Sequence, residues 1–194
     1  MALTEHKPFI IGITGAFGSG KSTAANFFED KGLKKIVLSS FIEEEAKKRG
    51  IKKITRKLLQ DIGNDLRDKF GSGILAKKAV LFLKNERLDR AVVDGVRNLG
   101  EVEEFKKNSN FVLIAVVANR KTRFERLRNL KRREKLNWDT FEKLDRRDLG
   151  IGEKQTGLQT AFCIASADIF VEGNEDIDEF RQKLDKILRR IENL

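Results

Sequence analysis

The stretch GITGAFGSGKST, residues 12–23, places Gly15, Gly18 and Gly20 within six positions and follows them with a lysine and two hydroxyl side chains. The preceding residues PFIIGIT are apolar and β-branched, which predicts a buried strand. The residues KSTAANFFEDKG carry apolar side chains at helical spacing and end in Gly32, which predicts a helix. Because glycine weakens both elements, three glycines at this junction indicate that something must approach the bare backbone.

This stretch fills every fixed position of the pattern G-x-x-x-x-G-K-[ST], the phosphate-binding P-loop. Backbone N–H groups of such a loop surround an anion, and the positive end of the following helix attracts it further. In this interpretation Lys21 contacts the β- and γ-phosphates of ATP, and Ser22 is a ligand of Mg²⁺. The predicted ATP-binding residues are Gly15, Ala16, Phe17, Gly18, Ser19, Gly20, Lys21, Ser22 and Thr23. The alternative is a glycine-rich turn that only packs tightly.

The composition is that of a globular chain with a strongly charged surface. Its 194 residues are 40% hydrophobic and 36% charged, which favours one domain over residues 1–194. No apolar run has the length of a membrane span, and the opening MALTEHKP is too polar for a signal peptide. With one cysteine and one histidine, neither an intramolecular disulfide nor a zinc cluster is expected. We expect a cytoplasmic protein.

The net charge of +10 is concentrated in two segments. Residues 34–57 carry nine lysines and arginines against three glutamates, and residues 119–135 carry nine against two. Such segments suit ligands that bear phosphate, or a nucleic-acid backbone. The alternative is that many of these side chains only solvate helix faces.

Strand and helix patterns alternate along the chain. Short apolar strands without polar alternation favour a parallel sheet covered by helices on both faces. We therefore predict a three-layer α/β/α P-loop NTPase fold with a five-stranded parallel sheet. The predicted strands are 9–14, 35–38, 91–94, 111–118 and 168–172. The predicted helices are 21–31, 40–50, 55–70, 73–86, 99–108, 120–132, 139–147, 154–166 and 175–192.

The segment AVVDGVRN, residues 91–98, ends a predicted strand in Asp94. Ligands of such sheets bind beyond the carboxyl ends of the strands, so Asp94 is expected to face the P-loop. It would bind Mg²⁺ through water or orient the attacking group, and Arg97 would hold a phosphate. The alternative makes Asp94 a helix cap with Arg97 as its ion-pair partner.

Two further segments supply candidate site residues. In the helix TRKLLQDIGNDLRDKFG, residues 55–71, an apolar face leaves polar side chains that would bind the acceptor: Arg56, Gln60, Asn64 and Arg67. An ordinary amphipathic helix is the equal alternative.

Residues 120–147 are rich in arginine and are predicted to form a mobile lid that neutralises the transferred phosphoryl group. Arg132 and Arg133 are the predicted catalytic arginines, from a set that also includes Arg120, Arg123, Arg126 and Arg128. The alternative is that several of these arginines only solvate the helix.

At this point the chain resembles the small P-loop kinases, namely the nucleoside monophosphate kinases, dephospho-coenzyme A kinase and a set of prokaryotic predicted nucleotide kinases. The stretch IGITGAFGSGKSTAANFFEDKG resembles the opening of dephospho-coenzyme A kinase. VVDGVRN resembles the D-G-x-P-R segment of monophosphate kinases but lacks its proline. The resemblance implies Mg–ATP as donor, an acceptor site in the helical segment 40–70, and the lid near 120–147.

The residues after the second predicted strand, LSSFIEEEAKKRG, bear on the acceptor. Ser39 and Ser40 resemble the small hydroxyl pair of monophosphate kinases, whereas dephospho-coenzyme A kinase has an acidic segment there. We predict an ATP-dependent phosphotransferase for a small phosphorylated acceptor, a (deoxy)nucleoside monophosphate, with Ser39 in the acceptor site. Dephospho-coenzyme A kinase is one alternative. A nucleic-acid-associated NTPase or ATP-dependent switch is another, although the basic segments hold few aromatic residues for base stacking.

Overall fold

The computed structural model describes residues 7–108, 110–129, 136–174 and 176–193. Within them, one sheet contains all the strands, in the order β2-β3-β1-β4-β5. Every neighbouring pair is parallel. The strands are β1 (Phe9–Thr14), β2 (Lys34–Val37), β3 (Arg90–Asp94), β4 (Phe111–Val117) and β5 (Ile169–Glu172). The predicted strands all form, with ends that differ by no more than one residue.

The helices alternate with these strands. They are α1 (Lys21–Asp30), α2 (Leu38–Lys48), α3 (Arg56–Phe70), α4 (Ile74–Asn85), α5 (Leu99–Asn108), α6 (Arg120–Asn129), α7 (Trp138–Leu149), α8 (Thr160–Ala165) and α9 (Ile177–Glu192). The predicted helix 154–166 is wrong in its first half, since only α8 forms. The preceding residues bind the loop after β3 instead: the Gln159 N–H donates to the Arg97 carbonyl at 2.7 Å.

The sheet is covered on both faces, which confirms the three-layer α/β/α architecture. The three central residues of β3 are all apolar because they face two cores: Val92 belongs to one, and Ala91 and Val93 belong to the other. Helices α1 and α9 cover the first face, with Phe28 and Leu184 fully buried there. Helices α2, α3, α4 and α5 cover the second. Among the described residues, no helix has the length and apolar character needed to cross a membrane.

Candidate active site

The loop between β1 and α1 has the backbone conformation that its glycines predict. Gly15, Gly18 and Gly20 all have positive φ angles. At Gly15 a Cβ would lie 2.2 Å from the carbonyl oxygen of Val116 in β4, so packing alone requires glycine there. At Gly20 a Cβ would meet no atom closer than 3.7 Å. The space beside Gly20, at the start of α1, is therefore open to a ligand rather than filled by protein.

This difference predicts a specific outcome for Gly20→Ala. Gly20 (φ +107°) and Gly32 (φ +93°) both have backbone angles that would strain an alanine to a similar extent. An added Cβ would not clash with another atom at either position. We expect each substitution to lower the free energy of unfolding by about 1–2 kcal/mol. Only Gly20→Ala should weaken ATP binding, by about tenfold or more, because its methyl group would occupy the phosphate space. Calorimetric titration with Mg–ATP, with Gly32→Ala as control, measures this; equal affinities in the two variants would contradict it.

A cleft of about 720 Å³ opens at the carboxyl ends of β1, β2 and β3. Most of the predicted site residues line it: Phe17, Gly18, Ser19, Gly20, Lys21, Ser22, Thr23, Ser39, Arg56, Asp94 and Arg97. Glu43 of α2 and Arg126 of α6 also line it. The cleft thus joins the P-loop to polar side chains from four other parts of the chain.

Lys21 is almost enclosed in this cleft, with 7% of its surface exposed. Its Nζ donates hydrogen bonds to the carbonyl oxygens of Gly15, at 2.7 Å, and of Ala16, at 2.9 Å. Burial, and secondly the nearby charge of Arg97, lowers the pKa of Lys21 to about 7. The ammonium group is therefore poised to lose its proton near neutral pH unless an anion stabilises it.

The lowered pKa of Lys21 predicts that proton uptake accompanies the binding of Mg–ATP. The phosphates stabilise the ammonium form, so the fraction of Lys21 that is neutral in the free protein must gain a proton on binding. We expect uptake of about half a proton at pH 7, close to one at pH 8 and close to none at pH 6. Calorimetry in buffers of different ionisation enthalpy measures this uptake. Lys21→Met should abolish it, and uptake that does not vary over this pH range would contradict the assignment to Lys21.

Two arginines that line the same cleft converge on one carboxylate. Nη2 of Arg56, from the first turn of α3, lies 2.6 Å from Oδ1 of Asp148, and Nη1 of Arg97 contacts the same oxygen. The Arg56 guanidinium also stacks 4.6 Å from the ring centroid of Phe17 in the P-loop. Burial alone would raise the pKa of Asp148, but Arg97 and Arg56 outweigh it and hold the pKa below its ordinary value. Asp148 is therefore an anion in this arrangement.

Three residues predicted to bind the acceptor do not line the cleft. Gln60 donates to the carbonyl of Leu144 at 3.3 Å, and Asn64 donates to Glu153. Arg67 is buried against Glu101, with its Nε and Nη2 at 3.0 and 2.7 Å from Oε1. The helical spacing correctly predicts that these side chains lie near one another. They join α3 to neighbouring elements, however, and do not line the cleft, contrary to the expectation that they bind the acceptor.

The Arg67–Glu101 pair nevertheless stabilises the loop after β3, which carries Arg97. Oε2 of Glu101 accepts hydrogen bonds from the backbone N–H groups of Arg97, at 2.8 Å, and of Asn98, at 3.2 Å. The Asn98 side chain caps α5 by accepting from the Gly100 N–H at 2.8 Å. These bonds hold the loop after β3 in place, and that loop carries Arg97 into the cleft.

Among the described residues of the predicted lid, Arg123 has a structural role. Arg123 is buried and paired with Asp145, its Nη2 lying 3.0 Å from Oδ2. It also donates to the carbonyls of Phe17, at 2.9 Å, and Ala118, at 3.1 Å. It therefore joins α6 and α7 to the P-loop, whereas Arg126 lines the cleft. The predicted catalytic arginines, Arg132 and Arg133, lie outside the described residues.

The cleft offers oxygen ligands that suit Mg²⁺. Asp94, with 6% of its surface exposed, and the hydroxyl-bearing Ser22 both line it. Among the described residues, no group of three or more His, Cys, Asp or Glu side chains could hold a metal ion. Because Mg²⁺ keeps several of its waters and binds through one or two protein ligands plus substrate phosphates, a hydroxyl and one carboxylate fit it better than they fit zinc or calcium.

Comparison with known sequences gives the family of this chain. A UPF0200 protein of Sulfurisphaera tokodaii is 37% identical over 187 residues, which cover 94% of this chain and 97% of that protein. A UPF0200 protein of Methanocaldococcus jannaschii is 32% identical over 187 residues, covering 95% and 91% respectively. The chain belongs to the UPF0200 family. No protein-family model matches this UPF0200 chain.

Solved structures show which folds the UPF0200 chain resembles. The shikimate kinase from Acinetobacter baumannii in complex with shikimate has a TM-score of 0.58 and 18% identity, covering 96% of this chain and 94% of that one. The shikimate kinase from Bacteroides thetaiotaomicron has a TM-score of 0.59 and 17% identity, covering 93% and 98%. This UPF0200 protein therefore has the fold of P-loop kinases such as shikimate kinase.

Proposed function

We propose that this UPF0200 protein is an ATP-dependent phosphotransferase whose acceptor is a small phosphorylated molecule, namely a nucleoside or deoxynucleoside monophosphate. The observation that carries the proposal is a single cleft lined both by Lys21 of the P-loop and by Arg56 and Arg97, whose guanidinium groups meet at Asp148. A P-loop lysine suits the phosphates of a donor, and paired arginines suit a second phosphate.

On the donor side, the open backbone beside Gly20 accommodates the phosphates of ATP. Lys21 exchanges its two carbonyl contacts for phosphate oxygens, and the Ser22 hydroxyl with Asp94 holds Mg²⁺, directly or through water. When bound, Mg²⁺ neutralises phosphate charge. Asp94 ends β3 beside β1, where it also orients the attacking group.

On the acceptor side, Arg56 and Arg97 bind the acceptor phosphate, and the Ser39 hydroxyl adds a polar contact. The apolar walls from Val37, Leu59 and Leu144 suit the flat face of a base. An oxygen of the acceptor phosphate attacks the γ-phosphorus of ATP while the bond to the leaving ADP breaks. Arg126 neutralises charge in this transition state, and Arg132 and Arg133 of the arginine-rich segment 120–147 are proposed to add to this neutralisation.

The cellular setting follows from the substrates. ATP and nucleoside monophosphates are intracellular metabolites, so a cytoplasmic location is part of the proposal. Helices α2 and α3, which overlap the segment 40–70, form the acceptor side of the same domain. Nucleic acid is not needed as a partner in this scheme.

A coupled assay of ATP consumption tests the proposal. The protein is supplied with Mg–ATP and, one at a time, with ribonucleoside monophosphates, deoxynucleoside monophosphates and dephospho-coenzyme A. We expect one or two monophosphates to raise turnover far above the rate without acceptor. Turnover with dephospho-coenzyme A alone would assign a kinase of a different acceptor. Turnover that rises only with added DNA or RNA would overturn the proposal in favour of a nucleic-acid-dependent NTPase.

A further inference from the structure

A fully buried carboxylate lies behind the two arginines of the cleft. Asp148, in the last turn of α7, has no exposed surface, whereas Arg56 and Arg97 keep about a fifth of their side-chain surface exposed. Both arginines line the cleft and Asp148 does not. A carboxylate so placed contacts the arginines and not the acceptor.

We propose that Asp148 is a positioning residue, which holds Arg56 and Arg97 together as one binding site for the acceptor's phosphate. The proposal rests on the function proposed above and adds α7 to the elements that build the acceptor site. Arg56 comes from α3 and Arg97 from the loop after β3, and they meet at a single oxygen atom, Oδ1 of Asp148.

The charges explain why these arginines need a carboxylate. Two guanidinium groups at one point repel each other, and Lys21 adds a third positive charge nearby. Without Asp148, the repulsion would drive the arginines apart into solvent. Part of the free energy of phosphate binding would then be used to bring them together again. With Asp148 present, the pair is already assembled before the acceptor arrives.

The packing around Arg56 limits its orientation further. One face of its guanidinium stacks on the ring of Phe17, and Nη2 contacts Asp148. Phe17 in turn packs against Phe141 of α7, with ring centroids 6.3 Å apart. Helix α7 therefore holds Arg56 in two ways. Asp148 contacts it directly, and Phe141 packs against the Phe17 ring on which it stacks.

The test uses inorganic phosphate as the probe and the whole protein saturated with Mg–AMP-PNP, which fills the P-loop. Calorimetry then measures phosphate binding at the proposed acceptor site. We expect Asp148→Asn to weaken phosphate binding by about tenfold or more. The matched control is Glu153→Gln, which removes another well-buried carboxylate, paired with Arg147 at 2.5 Å. It should change phosphate affinity by less than about twofold, since Glu153 does not line the cleft.

A comparison of KM with kcat provides a second readout. In the coupled assay Asp148→Asn should raise the KM for the acceptor monophosphate by about tenfold while kcat falls by less than about threefold, and Glu153→Gln should change neither. If Asp148→Asn does not fold, Asp148→Glu replaces it, because it keeps the charge but moves the carboxylate by one bond. We expect a smaller but measurable loss of phosphate binding there, about threefold or more, because the charge is kept while its position changes.

Wild-type phosphate affinity in the folded Asp148 variant would overturn this proposal. That result is distinct from a failure of the proposed function, which would appear first as no binding of Mg–AMP-PNP, or as ATP turnover that no small acceptor raises.

Discussion

Lys21→Ala is expected to lower the rate of phosphoryl transfer by about a thousandfold or more. The ammonium group lies at the start of α1, inside the P-loop, and no other lysine lines the cleft among the described residues. Phosphoryl transfer depends on placing and neutralising charge, so the loss of the positive charge inside the P-loop should lower the rate strongly.

The measurement compares kcat and kcat/KM of wild type and variant under saturating Mg²⁺. Lys35→Ala is the matched control, because Lys35 bonds Asn26 and Glu29 at the surface and carries the same charge. It should keep wild-type activity within about twofold. Activity of Lys21→Ala within tenfold of wild type would show that the P-loop does not bind the reacting phosphates.

Asp94→Asn should have the second largest effect, lowering kcat by about a hundredfold or more. Asp94 is buried at the end of β3, lines the cleft, and is close enough to Lys21 to influence its charge state. Asparagine has nearly the same shape but lacks the negative charge, so a loss of activity would report the charge and not the packing.

The concentration of Mg²⁺ provides a second readout for Asp94→Asn. If the carboxylate helps to hold the metal ion, the variant should need about tenfold more Mg²⁺ for half-maximal activity. Glu172→Gln is the control, since Glu172 also ends a parallel strand, β5, but does not line the cleft. A variant with unchanged kcat and unchanged Mg²⁺ requirement would remove Asp94 from the proposed machinery.

Much of the fold could be predicted from local sequence. Strands β1, β3 and β4 are buried on both faces, so their apolar runs have no polar alternation and stand out from the charged helices around them. The stretch 150–159 was harder to predict. Its structure depends on hydrogen bonds to the loop after β3. The Asn98 side chain, for example, donates to three carbonyls of the stretch 150–159, and no local sequence pattern predicts such bonds.

The candidate site was predictable where it follows from the fold, and not where it depends on distant contacts. Lys21 belongs to a motif, and Asp94 with Arg97 follows a strand whose carboxyl end faces the cleft. The spacing of Gln60, Asn64 and Arg67 shows that they lie on one side of α3, but it does not show which element that side contacts. Asp148 was missed because its partners lie 92 and 51 residues away in the chain.

The proposed reaction transfers the γ-phosphoryl group of ATP to a small acceptor in this cleft. To follow this transfer, ATP labelled with ³²P in the γ position is incubated with the protein, Mg²⁺ and the monophosphate that most raises turnover. We expect the label to appear in the corresponding diphosphate with wild type and not with Lys21→Ala. Label found only in inorganic phosphate, with every acceptor, would contradict it and identify an NTPase instead.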